Sequence, residues 1–162
     1  MVTASGEAAI GEELRARIDA EIARFPEKRG GLLGALHLVQ AELGCVSLEA
    51  SKELAAIFDV FPVEVVELVH FYNLFDTAPL GRHRVRVCTN LPCALAGANG
   101  LLRGLEEHLG IALGETTSDG RIHLGREECL GACGNAPMLR VDGVYHEDLD
   151  LASACAVLDA LE

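Results

Sequence analysis

Four of the six cysteines fall in two close pairs, Cys88-Thr89-Asn90-Leu91-Pro92-Cys93 and Cys129-Leu130-Gly131-Ala132-Cys133. Four residues separate the first two thiols, three separate the second two, and 35 lie between Cys93 and Cys129. Four thiolates brought to one place hold either a tetrahedral zinc ion or a 2Fe–2S cluster. Structural zinc sites draw on short spacers, so the four-residue gap argues mildly against zinc. A 2Fe–2S unit is wider than one ion, takes two thiolates on each iron, and suits looser, unequal spacing. A dithiol redox pair is the third possibility, although the two-residue spacer of that motif is absent. Gly131 and Gly134 allow backbone N–H groups to turn toward sulfur. Cys93 stands where a helix is expected to open, and the unpaired N–H groups there favour negative charge. That matters because an oxidised 2Fe–2S unit with four thiolates carries a formal charge of about −2 and gains another on reduction.

The other candidates for chemistry are weaker. Cys155 shares a helical stripe with Leu151 and Leu158, so core packing is its expected role, and Cys45 reads as a small buried residue. The six histidines are scattered, with His37 and His70 inside predicted helices. Arg82, Arg84 and Arg86 form the one local concentration of base. They read either as the solvated face of an edge strand or as a docking patch for an acidic partner. The acidic residues read mostly as solvation, with no pair singled out as general acid and base.

The elements that must position the cysteines can be read from periodicity. Residues 11–24 carry Leu14, Ile18 and Ile22 on one helical stripe, stopped by Pro26. A second helix is predicted near 31–43, closed by Gly44. A third is capped by Ser47 and ends near Phe58, and a fourth starts at Pro62 and runs to about Phe75. Short connections predict four helices packed as neighbours. From Arg82 to Cys88 the pattern alternates like a strand. Helical spacing returns at Leu101, Leu102, Leu105 and Leu109, with Gly97, Gly100 and Gly104 expected to pack one face closely on a sheet. Arg121 to Leu124 reads as a short strand, and Met138 to Val141 and Val144-Tyr145 as a hairpin turned at Asp142-Gly143. A last helix carries Leu151, Cys155, Leu158 and Leu161. The second half thus has the element order of a thioredoxin-like domain, β-α-β-β-β-α or β-α-β-β-α. Pro137 is the candidate for a cis proline beside the site.

Composition bounds the function. The 162 residues are 50% hydrophobic but only 4% aromatic, so the core must be built from Leu, Ala and Val. The net charge of −12 falls as −7 on residues 1–80 and −5 on residues 81–162, a surface that disfavours nucleic acid and anionic lipid. The longest uncharged stretch, Val87 to Leu102, has 16 residues, short of the roughly 20 a spanning helix needs. Met1 to Gly11 contains an acid and no base, the reverse of a secretory or transit signal, which sets a soluble cytosolic protein as the expectation. No Gly-x-Gly-x-x-Gly follows a strand and no Gly-rich phosphate loop is present.

The four-cysteine spacing, with its flanks, resembles the small thioredoxin-like 2Fe–2S subunit family of NADH:quinone oxidoreductase (respiratory complex I). The strings that carry the resemblance are Val87-Cys88-Thr89-Asn90, Gly114-Glu115-Thr116-Thr117 with Asp119-Gly120, and Glu128-Cys129-Leu130-Gly131-Ala132-Cys133-Gly134-Asn135-Ala136-Pro137. Leu36-His37-Leu38-Val39-Gln40 and Phe71-Tyr72 add to them, so about residues 18–160 are covered. One departure is Cys45, where relatives commonly carry an aromatic after the glycine. The resemblance implies an α+β protein, an N-terminal helical bundle (1–80) followed by a thioredoxin-like 2Fe–2S ferredoxin domain (81–162). It implies one 2Fe–2S cluster held by Cys88, Cys93, Cys129 and Cys133 and exchanging single electrons with FMN. FMN and NAD would sit on the partner, an NADH-oxidising flavoprotein subunit, and this chain would have no substrate site of its own. A cytoplasmic place, peripheral to a bacterial inner membrane through the complex, is implied too. The same architecture serves as the diaphorase subunit of NAD-linked hydrogenases and formate dehydrogenases, and a zinc-stabilised interaction module is a remoter alternative.

Overall fold

Leu14 and Ile18 lie one helical turn apart, and both are buried on helix α1 (Glu12–Ile22). A computed structural model describes residues 9–162 of the chain. Residues 1–8 lie outside it. They include most of the stretch read above for a targeting signal and the start of the helical half. The chain divides into two compact units between Pro79 and Leu80.

In the first unit, α1 is followed by α2 (Leu32–Leu43), α3 (Leu48–Phe58) and α4 (Pro62–Phe71). Each boundary has a local cause. Gly44 closes α2 with φ of 79°, a conformation that costs a residue with a Cβ free energy. The Ser47 hydroxyl accepts the Ala50 N–H at the start of α3. Pro62 opens α4, and the Glu64 carboxylate reaches back to the Phe61 N–H. Helix α4 stops at Phe71, four residues before the expected end. Beyond it the chain is tied down by Gln40, whose amide N–H donates to the Leu74 carbonyl at 2.6 Å and whose oxygen accepts the Asp76 N–H at 2.7 Å. Side chains from all four helices share one apolar core, with Leu36, Leu54 and Val65 fully buried.

The second unit is a four-stranded sheet in the order β2-β1-β3-β4, built from β1 (His83–Cys88), β2 (Ile122–Glu127), β3 (Leu139–Val141) and β4 (Val144–His146). Strand β1 pairs parallel with β2 and antiparallel with β3. Helices α5 (Leu91–Leu95) and α6 (Ala98–Leu109) make the crossover from β1 to β2, and α7 (Leu151–Asp159) follows β4. Val85, Val87, Leu124 and Leu139 meet Leu101 and Leu105 of α6 and Leu158 of α7 in one core. Because side chains alternate along a strand, both helices cover the same sheet face. The α+β architecture expected from the sequence is present, with the longer of the two element orders.

Several local expectations are corrected. Strand β1 is internal, so its arginines do not form an edge. Of the three glycines before and within α6, Gly97 is its left-handed N-cap, and no other atom crowds Gly97 or Gly100. Only Gly104 is closely packed. It faces the Leu151 side chain of α7 rather than the sheet. Leu151 is nevertheless 44% exposed, while Ala154 and Leu158 are the buried residues of that helix. The hairpin turn at Asp142 and Gly143 is as expected, with φ of 48° and 97° at the two positions.

Two predictions arise here. A Cβ on Gly81 would stand 2.9 Å from the His123 amide nitrogen and 3.0 Å from the Ile122 carbonyl carbon. Backbone cannot rotate away, so Gly81→Ala should destabilise the second unit by about 1–3 kcal/mol in urea denaturation. An unchanged midpoint would show that the entry to β1 is not so tightly packed. The second concerns His83, whose ring Nδ1 lies 2.6 Å from the Asp142 carboxylate and whose Nε2 lies 2.9 Å from the Glu162 carbonyl. The bond to Asp142, then that to the Glu162 carbonyl, raises its pKa above the usual 6.5. Its contribution to stability is therefore complete below the unfolded value and fades as pH rises through the folded one. The melting-temperature gap between the native chain and His83→Gln should be wider at about pH 5.5 than at about pH 9. A pH-independent gap would contradict that linkage.

Candidate metal centre

Cys88 is the last residue of β1, and its neighbours hold it from two sides. The Cys88 N–H donates to the Met138 carbonyl at 3.2 Å. The Thr89 N–H and hydroxyl both donate to the Glu127 carbonyl at the end of β2, at 3.0 and 3.1 Å. Cys93 stands in the first turn of the five-residue helix α5, as expected of a residue that opens a helix, with Pro92 just before it. Cys88 and Cys93 are both 1% exposed. They sit in a small apolar cluster with Ala98, Leu130 and Met138, separate from the main core of this unit.

The second pair belongs to the segment that leaves β2. Cys129 and Cys133 are exposed. The Gly131 N–H donates to the Cys129 sulfur at 3.4 Å, and Gly131 has φ of 77°, so the glycine does turn its amide to sulfur. Cys133 starts a single 3-10 turn, Cys133–Asn135, which leads to the cis bond at Ala136-Pro137. Contacts that the spacing could not reveal pin this segment down. The Tyr145 hydroxyl donates to the Leu130 carbonyl at 2.8 Å, and the Asn135 side-chain amide donates to the Glu147 carboxylate at 2.7 Å. The Leu149 N–H donates to the Pro137 carbonyl at 3.0 Å. Tyr145 and Met138 are supporting residues whose role motif reading missed, whereas Thr89 stood within the first cysteine string. The one available signal was a tyrosine placed just after the tight Asp142-Gly143 turn.

Cys93 feels the other three thiols. Burial pushes the Cys93 thiol up to about 11, with further contributions from its hydrogen bond to Cys88 and from the charges of Cys88, Cys133 and Cys129. Deprotonating such a group requires a compensating cation, and metal binding at thiols exchanges bound protons for metal charge. Among the described residues, however, no three His, Cys, Asp or Glu side chains gather closely enough to enclose a single metal ion. A 2Fe–2S cluster takes two thiolates on each iron, and the chain offers two close pairs, Cys88 with Cys93 and Cys129 with Cys133. The donor set is therefore chemically suited to a 2Fe–2S cluster. Cys45 is buried within the first unit, and Cys155 is half-buried against the sheet core of the second. His37 packs its ring on Phe75, and His70 bonds the Val66 carbonyl of its own helix.

Comparison with known proteins agrees with this chemistry. Residues 18–162 match the family described as Thioredoxin-like [2Fe-2S] ferredoxin. The chain is 43% identical over 147 residues to the E 2 subunit of NADH-quinone oxidoreductase from Rhizobium meliloti (strain 1021), covering 91% of this chain and 88% of that one. It is 40% identical over 132 residues to the E subunit of NADH-quinone oxidoreductase from Aquifex aeolicus (strain VF5), covering 81% and 82%. Among solved structures, a chain of an NAD+-reducing [NiFe]-hydrogenase in the air-oxidised state matches with a TM-score of 0.69 and 28% identity. That match covers 80% of this chain and only 22% of the hydrogenase chain. With the family match spanning nearly the whole sequence, the chain belongs to the thioredoxin-like 2Fe–2S ferredoxin family, whose members here include subunits of NADH dehydrogenase complexes.

Proposed function

We propose that this chain is the small electron-transfer subunit of a bacterial NADH:quinone oxidoreductase, with Cys88, Cys93, Cys129 and Cys133 as the ligands of one 2Fe–2S cluster. The observation that carries the reading is the two-and-two arrangement of thiols, one buried pair and one exposed pair, with the other three all acting on Cys93. When bound, the cluster supplies one-electron redox chemistry. The chain's own residues do the rest. Cys88 and Cys93, with Leu130 and Met138 around them, keep water from the inner side of the site. The Gly131 N–H offers a hydrogen bond to the Cys129 sulfur, the kind of contact that tunes a potential. The exposed pair leaves the outer side open to an electron donor or acceptor. In this reading that neighbour is a flavoprotein subunit carrying FMN and the NADH site, and the 81–162 domain is the electron carrier. Among the described residues no helix is long and apolar enough to cross a membrane. In this reading membrane association comes through the complex, on the cytoplasmic side.

The test is anaerobic purification of the full chain with its neighbouring subunit, followed by visible and EPR spectra before and after dithionite. The expected result is a red-brown protein with two irons and two sulfides per chain, bleaching in part on reduction. A colourless protein carrying one zinc would overturn the electron-transfer reading. The structural match to an NAD+-reducing hydrogenase favours a second reading, a diaphorase subunit of such an enzyme. Co-purification with quinone-reducing or with hydrogenase subunits separates the two.

A further inference from the structure

Three charged side chains that the thiol chemistry does not use are packed into the same end of the sheet. The Glu127 side chain is 6% exposed, and one of its oxygens, Oε1, faces both Arg86 Nε at 3.8 Å and Arg140 Nη2 at 3.6 Å. The two arginine side chains are themselves 13% and 28% exposed. The three residues come from three adjacent strands, with Arg86 paired to Arg140 across β1 and β3 and Glu127 paired to Cys88 across β1 and β2. Gly125 is part of the same arrangement. It pairs with Arg86, its φ is not in the left-handed region, and a Cβ there would run into the Arg86 guanidinium. The glycine therefore supplies room for the arginine to lie across β2, not a backbone conformation.

Ionised groups are expensive to bury, and packed apolar side chains of similar volume would join three strands as well or better. The network sits where its charge counts. The Glu127 carbonyl holds Thr89, next to Cys88, and Cys129 follows two residues after Glu127, so one thiol of each pair is anchored to this carboxylate's own residue or its neighbours. We propose that Arg86, Glu127 and Arg140 are positioning residues that set the reduction potential of the site. The Glu127 charge disfavours reduction and the two arginines limit its effect. The inference rests on the four-cysteine reading above. Reduction is the gain of one electron from an external reductant, ferric to ferrous, and it leaves the site one charge more negative. A fixed buried charge therefore acts on the two redox states unequally.

The experiment is an EPR-monitored redox titration, with dithionite as reductant, of the full-length reconstituted chain and of Glu127→Gln, Arg140→Gln and Gly125→Ala. Glu127→Gln should raise the reduced-to-oxidised ratio at fixed ambient potential about tenfold, ~59 mV for one electron. Arg140→Gln should lower it. Gly125→Ala, which changes no charge but displaces the Arg86 guanidinium, should move the ratio in the same direction as Arg140→Gln by a smaller factor. Opposite shifts are what a merely structural role would not produce. Ratios within about twofold of the native chain, or shifts of the same sign for Glu127→Gln and Arg140→Gln, overturn the proposal even if melting temperatures fall. Should Glu127→Gln not fold, the partly exposed Arg140 and the charge-neutral Gly125 substitution still decide it. A native chain with no iron–sulfur signal overturns the four-cysteine reading itself, and this proposal with it.

Discussion

Replacing Cys129 by serine should remove nearly all of the iron–sulfur absorption and EPR signal from the reconstituted protein while the chain stays folded. The fold survives because Cys129 is exposed and lies in the segment between β2 and Pro137, outside either main core. An alkoxide is a much harder ligand than a thiolate and its proton is far more tightly held, so a serine replaces the sulfur on iron poorly and strongly perturbs any cluster that remains. Cys88→Ser should lose the signal as completely, but with an added cost. Its side chain is buried in an apolar cluster, and placing the more polar hydroxyl there costs about 1–3 kcal/mol. Cys45→Ser and Cys155→Ala serve as controls and should retain the full iron complement. A normal EPR signal in both Cys88→Ser and Cys129→Ser would sink the ligand assignment.

The second large effect is expected at Met138. It is fully buried and packs in the same small cluster as Cys88, Cys93, Ala98 and Leu130, and its carbonyl holds the Cys88 N–H. Met138→Ala leaves the backbone bond in place but opens a void directly beside both inner thiols. The expected loss is about 2–5 kcal/mol in equilibrium urea denaturation. Iron should also leave the reconstituted variant faster, because water gains access to the inner side of the site. Met138→Leu keeps the volume and should lose less than about 1.5 kcal/mol, with iron release close to that of the native chain. If alanine and leucine variants released iron at the same rate, Met138 would be filling space without shielding the thiols.

The contrast between these two sites shows what could be read in advance. The spacing Cys88, Cys93, Cys129, Cys133 singled out the thiols, yet nothing in it distinguished the buried pair from the exposed pair. That difference is made by α5, a five-residue helix too short to leave a periodic signature, and by Met138, which approaches from beyond Pro137. The arginines illustrate the same limit. Alternation correctly made residues 83–88 a strand, but it could not say which strands would flank it. With β2 on one side and β3 on the other, Arg86 is turned toward a buried carboxylate from a segment 41 residues away instead of toward solvent.

What the sequence determined by itself is what depends on neighbours within a few residues. The Leu14–Ile18 stripe, the Ser47 cap, the Gly44 stop, the Asp142-Gly143 turn and the cysteine spacings each act through contacts of one to five positions. Local backbone preference and side-chain periodicity are enough to specify them. Strand order, the depth of each thiol and the pairing of Glu127 with two arginines were decided only by the tertiary structure. They arise from segments far apart in the chain, brought together by burial of a shared apolar face, and that driving force is proportional to area and carries no direction of its own. Which polar groups then meet on the opposite face is a consequence of the register in which the strands close.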